Sequence, residues 1–242
     1  MNHKVAIVTG GTGAIGRAIS FKLSDEGIKI YVPTRDLAKF NEVFDRSQNA
    51  DTNEFNLNKI FSFNCDITDE NSVIEFVNNI CAIENGRIDY LINTAGGIDN
   101  PVKTAELKTK SLLNMLDLNF MSAFYFSREV LKYMLKNNFG RIISFGSKSS
   151  TEITADRFAY SFSKRGVIDL MNILSEENKD FNIRCNTIIP GIVDTPSNRE
   201  WGDEDDFKKW TNTNDIAEIV SDLLKDKFKS LRSSELKLYN SV

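Results

Sequence analysis

A short apolar run that ends in a cluster of glycines limits the fold of this chain more than any other feature. Residues 4–10 read Lys-Val-Ala-Ile-Val-Thr-Gly, the β-branched composition of a strand covered on both faces. Gly10, Gly11, Gly13 and Gly16 follow, and a periodic stretch from Ile15 to Leu23 reads as a helix. Gly27 stops that helix, and residues 28–32 form the next strand. The first 35 residues therefore make one βαβ unit.

The alternation then repeats. A strand at 59–66 precedes a helix at 69–82, and a strand at 89–96 precedes a long helix around 104–137. Strand 140–147 leads to a helix around 157–178, strand 182–191 to a helix near 213–225, and residues 234–242 close the chain as a last strand. Such regularity predicts the α/β class: a single-domain, Rossmann-type, doubly wound parallel sheet of about seven strands flanked by helices. With no linker or repeat, residues 1–242 are expected to form one domain. Two stretches interrupt the pattern. Residues 44–58 are polar and Asn-rich, a surface loop or short helix. Residues 196–212 carry the acidic run Asp203–Asp206 between Trp201 and Trp210, and a long irregular segment of this kind is often a lid. The acids themselves read as a solvated loop, and the tryptophans either cover a substrate or pack the lid onto the body.

Composition removes other classes. A 41% hydrophobic and 26% charged chain is an ordinary globular protein, and a net charge of -4 without a basic block argues against nucleic-acid binding. No apolar run approaches the ~20 residues of a membrane span. The apolar start runs directly into glycines rather than a cleavage site, so no signal peptide is expected. Cys65, Cys81 and Cys185 are odd in number and lack CxxC spacing, which fits buried free thiols in a reducing cytoplasm. The single histidine, His3, argues against His-based metal or triad chemistry, and no metal site is expected.

The turn Thr9-Gly10-Gly11-Thr12-Gly13-Ala14-Ile15-Gly16 lies between a strand and a helix start. Glycines there let backbone N–H groups approach a pyrophosphate, whose charge the helix N-terminus favours, so a dinucleotide is the expected ligand. The tip of the second strand chooses between cofactors. An acid there holds the ribose 2′-OH of NAD, whereas an arginine accommodates the 2′-phosphate of NADP. Thr34 falls where the acid would be, with Arg35 beside it, and this predicts a preference for NADP(H). A one-residue shift of the turn would instead bring the Asp36 carboxylate to the ribose and make NAD(H) possible.

Tyr160 and Lys164 stand at i and i+4 and share a helix face. A cation beside a phenol lowers its pKa from about 10 toward neutrality, which reads as a proton-transfer pair. Alone, that spacing is as consistent with a solvated helix face. The glycine turn, Asn93-Thr94-Ala95-Gly96, Asn119, Ser147, Tyr160, Lys164 and Pro190-Gly191 in this order resemble the short-chain dehydrogenase/reductase family, from about Val5 to the C-terminus. Ala14 replaces a glycine of the family's turn, Thr94 an asparagine, and Ser233-Ser234 its usual glycine before the last strand.

The resemblance implies catalytic roles for Asn119, Ser147, Tyr160 and Lys164. Tyr160 would give a proton to a carbonyl oxygen, Ser147 would polarise that oxygen, Lys164 would lower the Tyr160 pKa and hold the nicotinamide ribose, and Asn119 would position a water that returns protons to Lys164. The implied cofactor site comprises Gly10, Thr12, Gly13, Ile15, Gly16, Thr34, Arg35, Asp66, Ile67, Asn93, Ala95, Gly96, Pro190, Gly191, Val193 and Thr195, together with Tyr160 and Lys164. Asp66 would meet the adenine and Thr195 the carboxamide. The expected partner is a small-molecule carbonyl substrate of 3-oxoacyl or other ketone type. A homotetramer or homodimer through the helices at about 104–137 and 157–178 is also implied, with Phe124-Tyr125-Phe126 as either interface or core. Asp194–Arg199, Asp206-Phe207 and Trp210 are similar to the dihydropteridine reductase branch, which typically has an acid at the second-strand tip and does not depend on the serine. Thr34-Arg35 and Ser147 favour ketone reduction, and pteridine reduction is the alternative. A non-catalytic nucleotide-binding or scaffold protein is the lesser one.

Overall fold

Each apolar run of the sequence becomes a strand of one parallel sheet in the computed structural model, which describes residues 3–44 and 57–240. The strands are β1 Val5–Thr9, β2 Lys29–Thr34, β3 Ile60–Asn64, β4 Tyr90–Asn93, β5 Gly140–Phe145, β6 Ile183–Pro190 and β7 Glu235–Leu238. Their order across the sheet is β3-β2-β1-β4-β5-β6-β7, every pair parallel. Connections reverse direction between β1 and β4, and ligands of open α/β sheets bind outside the carboxyl ends of the strands at such a switch point.

Period-two alternation divides the core into two layers. Along β1, Ala6 and Val8 face one apolar cluster while Val5 and Ile7 face the other, all fully buried. The first cluster packs under α1 (Ala14–Asp25), α2 (Leu37–Val43) and α9 (Thr213–Leu224). The second packs under α3 (Glu70–Ile83), α5 (Ser122–Asn137) and α6 (Phe158–Glu177). Both faces are covered, as the unbroken apolar strands require. Gly27, at φ +85°, ends α1 with the paired backbone bonds Gly27 N to Ser24 O and Ile28 N to Leu23 O, a Schellman motif.

Several elements differ from the sequence expectation. The helix expected over 104–137 is interrupted: one turn at Thr104–Glu106, an extended Leu107-Lys108, α4 (Thr109–Met115), a π-helical segment Leu116–Met121, and then α5. Helix α2 was not foreseen. Asp36 caps it by accepting from the Lys39 N–H at 2.8 Å, so that carboxylate serves the backbone. The irregular stretch 196–212 holds two single-turn helices, α7 (Pro196–Arg199) and α8 (Glu204–Phe207), capped by Thr195 and Asp203. The loop expected over 44–58 lies mostly outside the described residues; its end, Leu57–Lys59, is one turn of 3-10 helix. All three cysteines are free and buried, and burial pushes the Cys65 and Cys81 thiols up to about 11 and Cys185 to about 12. Among the described residues, no helix is long and apolar enough to cross a membrane, and no cluster of His, Cys, Asp or Glu could hold a metal ion.

Candidate functional site

The glycine turn is built to exclude side chains. A Cβ on Gly10, which has φ +65°, would stand 2.8 Å from the Ala95 backbone, and one on Gly16 would stand 2.4 Å from the Gly10 carbonyl oxygen. Gly13 precedes α1 without a capping side chain, so the helix start presents bare N–H groups. That suits a pyrophosphate, and no neighbouring carboxylate occupies the first turn. Thr94, at the family's asparagine position, donates to the Thr9 carbonyl at 2.6 Å and locks the β1 and β4 tips together.

At the second-strand tip, Thr34 accepts from the Asp36 N–H at 3.0 Å and closes the turn. The Arg35 guanidinium is 72% exposed and meets Asp66 at 3.2 Å. Asp66 also accepts from the Thr68 N–H and hydroxyl, and these two bonds, followed by Arg35, hold its carboxyl below the usual range. Ile67, beside it, packs half-buried on the core. Arg35 and Asp36 are both exposed just past β2, the Asp36 carboxylate being engaged by the Lys39 N–H.

The candidate catalytic side chains arrive from separate elements. Asn119 sits in the π-helical segment, and such bulges are frequent at functional sites. Its amide pairs with the Gly97 backbone in both directions, at 2.9 and 3.0 Å, and donates to Ser163 of α6 at 3.0 Å. Lys164 is buried, and its ammonium donates to the Phe145 carbonyl at the end of β5, 3.0 Å away. Burial without a carboxylate lowers its pKa to about 8. A Cβ on Gly96 would touch both Asn119 Oδ1, at 2.6 Å, and Lys164 Nζ, at 2.9 Å, so these two groups converge on one glycine. Ser147, just past β5, shares a hydroxyl hydrogen bond with Ser149 at 2.9 Å.

Burial, the largest influence on the Tyr160 phenol, pushes it above the ordinary range, against the lowering influences of the Ser147 hydroxyl and the Arg157 charge. Desolvation outweighs both, because the half-buried ring faces protein more than water.

Asn93 turns inward and donates to Ser144 and Ser127, tying β4 to β5 and α5, while Ala95 N donates to the Thr9 hydroxyl. Pro190 and Gly191 end β6, and Val193 bridges Thr211. A cavity of about 500 Å³ opens between the β4–α4 connection and the start of α4, lined by Ile98, Asp99, Asn100, Val102, Glu106, Leu107, Lys108 and Ser111. In the segment after β6, Trp210 is buried against Trp201 and Phe207, with ring centroids 5.0 Å apart in each pair, and it fills the space over Gly202. Trp201 remains 62% exposed.

The sequence profile of the short chain dehydrogenases matches residues 4–206. The chain belongs to that family. It is an oxidoreductase by membership, and it is 31% identical over 222 residues to an uncharacterized oxidoreductase of Staphylococcus saprophyticus, covering 91% of this chain and 90% of the relative. A 3-oxoacyl-acyl-carrier-protein reductase of Buchnera aphidicola is 30% identical over 195 residues, 81% of this chain and 75% of that one. Among solved structures, an actinorhodin polyketide ketoreductase crystallised with NADPH superposes with a TM-score of 0.86 at 25% identity, over 98% of this chain and 96% of that one.

Within this short-chain dehydrogenase, two groups escaped the sequence reading. Ser163, the hydroxyl that links Asn119 to the Tyr160 carbonyl, lies between Tyr160 and Lys164 and looks like a helix filler. Arg157 stands three residues before Tyr160, and its side chain donates to the Asp99 carbonyl. A positive charge at a helix N-terminus, where the macrodipole disfavours it, was the available signal.

Proposed function

We propose that this oxidoreductase reduces a ketone to an alcohol with NADP(H). The observation that carries the reading is the convergence of Asn119, from the π-helical segment, and Lys164, from α6, on the Gly96 backbone at the switch point of the sheet, with Tyr160 on the same helix as Lys164 and Ser147 just past β5. The uncrowded glycine turn, the exposed Arg35 and the buried, unneutralised Lys164 fit a dinucleotide. Bound nicotinamide supplies the hydride.

Tyr160 gives its proton to the carbonyl oxygen as negative charge grows there. Ser147 donates to the same oxygen and lowers the cost of that charge. Lys164 holds the ribose hydroxyls, and its pKa of about 8 lets it exchange a proton near neutral pH. Asn119 keeps the Gly97 loop and α6 in register and positions the water that returns protons to Lys164. Arg35 swings from Asp66 to the 2′-phosphate. Thr12, Ile15, Val193 and Thr195 complete the cofactor site with the residues named above, and residues 196–212 act as the lid. Self-association runs through α5 and α6, Phe162 and Ile173 of α6 being 54% and 55% exposed, and light scattering reads it directly.

A screen of NADPH oxidation over 3-oxoacyl thioesters, simple ketones and quinonoid dihydropterin tests this reading. We expect turnover with ketones and a loss of about 100-fold in kcat for Ser147→Ala, the size of one lost oxyanion donor. Turnover of the dihydropterin alone, insensitive to Ser147→Ala, selects the pteridine alternative.

A further inference from the structure

We propose that Ser149 is a positioning residue for carbonyl reduction: its hydroxyl, 2.9 Å from that of Ser147, donates to Ser147 Oγ and turns the single Ser147 proton toward the substrate oxygen. The proposal rests on the reading of Ser147 as the polarising donor.

A serine hydroxyl carries one proton and two lone pairs. Either member of the Ser147–Ser149 pair can be the donor, and the two directions have opposite consequences. If Ser147 donates to Ser149, its lone pairs face the substrate oxygen and oppose the negative charge that grows there. If Ser149 donates to Ser147, the Ser147 proton is left for the substrate. A carbonyl oxygen brings no proton of its own, so only the second direction satisfies all three oxygens. It also forms a chain of hydroxyls, in which each hydrogen bond polarises the next. Ser147 is 8% exposed, which leaves little room for water to take the place of Ser149. Ser149 is half-buried, and its own lone pairs reach solvent. The direction is set before substrate arrives, as a preorganised donor requires.

The surrounding turn commits the neighbouring groups elsewhere. Ser147 is extended at φ -155° and ψ 160°, and Lys148–Ser150 follow as one turn of 3-10 helix. The Ser150 hydroxyl serves the backbone, accepting from Ser147 N at 3.2 Å and donating to the Ser147 carbonyl. Ser150 N donates to that same carbonyl at 2.9 Å. The Thr151 hydroxyl donates to the Lys148 carbonyl at 3.0 Å and shares a hydrogen bond with Tyr239, just past β7, at 2.7 Å. The Lys148 ammonium stands 5.3 Å from the centre of the Tyr239 ring. Braced in this way, the turn holds its backbone in place and leaves Ser149 as its one hydroxyl directed at Ser147. Three serines in four residues thus divide their work between substrate, partner hydroxyl and backbone.

The test is a double-mutant cycle on kcat with NADPH saturating. The probes are acetoacetyl-N-acetylcysteamine, a 3-oxoacyl thioester, and cyclohexanone, a simple ketone. Ser149→Ala should lower kcat by about three- to tenfold, the effect of one neutral hydrogen bond, with KM for NADPH and the melting temperature near wild type. In the Ser147→Ala background the same substitution should cost less than about twofold, because the proton that it directs is gone. Ser149→Thr keeps the hydroxyl and should keep most of the rate. A loss that is the same with and without Ser147 would show that Ser149 only holds the turn, and would overturn the proposal. A Ser149→Thr variant as slow as Ser149→Ala would overturn it as well.

A second measurement needs no turnover. Neutron diffraction from crystals of the deuterium-exchanged NADP+ complex locates the hydroxyl deuterons, and we expect the Ser149 deuteron on the line to Ser147 Oγ. A Ser147 deuteron aimed at Ser149 would overturn the proposal. Full activity of Ser147→Ala, or no turnover of either probe, would sink the ketone reading instead, and the neutron map would still report the direction of the pair.

Discussion

The two ends of the sheet treat buried charge in opposite ways. At the amino ends of the strands, Glu84 accepts from Tyr31, Lys29 and His3, and Asp89 accepts from Lys4, Arg87 and the Val5 N–H. Arg141, almost wholly buried, reaches Asp226, Asn182 and two backbone carbonyls. At the carboxyl ends, Lys164 is buried with one backbone carbonyl and, among the described residues, no carboxylate within ion-pair distance. A buried charge is costly unless paired. One end therefore neutralises its charges within the fold, whereas the other leaves one for a bound molecule to complete. Stability is concentrated at the first end and chemistry at the second.

The largest effect expected from this contrast is at the carboxyl end and leaves the fold alone. Tyr160→Phe should lower kcat by roughly 1,000-fold, within the range of a lost general acid, while the melting temperature and NADPH fluorescence titrations stay near wild type. A matching loss of stability would blur the division. Asp89→Ala is the mirror experiment. It leaves Lys4, Arg87 and the Val5 N–H without their shared acceptor, and we expect a loss of roughly 3 kcal/mol, read by urea unfolding, with kcat per folded molecule unchanged. A fall in kcat with stability intact would break the comparison.

Lys164→Met tests stability and chemistry together at the carboxyl end. The folded pKa of about 8 lies below the ordinary 10.5, so the folded state binds fewer protons than the unfolded chain between those values. Stability of the wild type accordingly rises with pH across that window, and its penalty is fully present below about pH 8. Replacing the ammonium with an apolar chain should stabilise the protein at pH 7 by on the order of 2 kcal/mol and abolish turnover. The gain should shrink between pH 8 and 10.5. Destabilisation at pH 7 would mean that the Phe145 carbonyl bond outweighs desolvation.

What the sequence made legible follows the same division. Unbroken apolar runs and a cluster of glycines mark β1, the turn and the alternation of strands with helices, because burial and sterics act on neighbours in sequence. Asn119, Ser147, Tyr160 and Lys164 were legible as candidates only together, through an order of motifs that resembles the family's, since Tyr160 and Lys164 sharing a face says little alone. Three features were hidden. The π-helical turn around Asn119 comes from its bonds to Gly97 and Ser163, 22 and 44 residues away. Asp36 as the cap of α2 depends on a helix with too few apolar positions to announce itself. The bond from the buried Lys164 ammonium to the Phe145 carbonyl spans 19 residues, and no periodicity encodes it.

Arg35 lies between the two regimes, and its replacement should have the smallest effect. Its pairing with Asp66 at 3.2 Å is solvent-exposed, and such pairs contribute about 0–1 kcal/mol, so Arg35→Ala should leave the melting temperature unchanged. A 2′-phosphate offers the guanidinium a doubly charged, bidentate partner instead of one carboxylate oxygen. The exchange favours the phosphate by one charge-assisted contact, so KM for NADPH should rise roughly tenfold, the effect of 1.4 kcal/mol. KM for NADH should fall or hold steady, since Asp66 loses a competitor and NADH brings no phosphate. Equal losses with both cofactors would show that Arg35 serves the Asp66 turn as a structural cation. Arg35 would then belong, with the charges at the amino ends of the strands, to the part of the molecule that holds the fold.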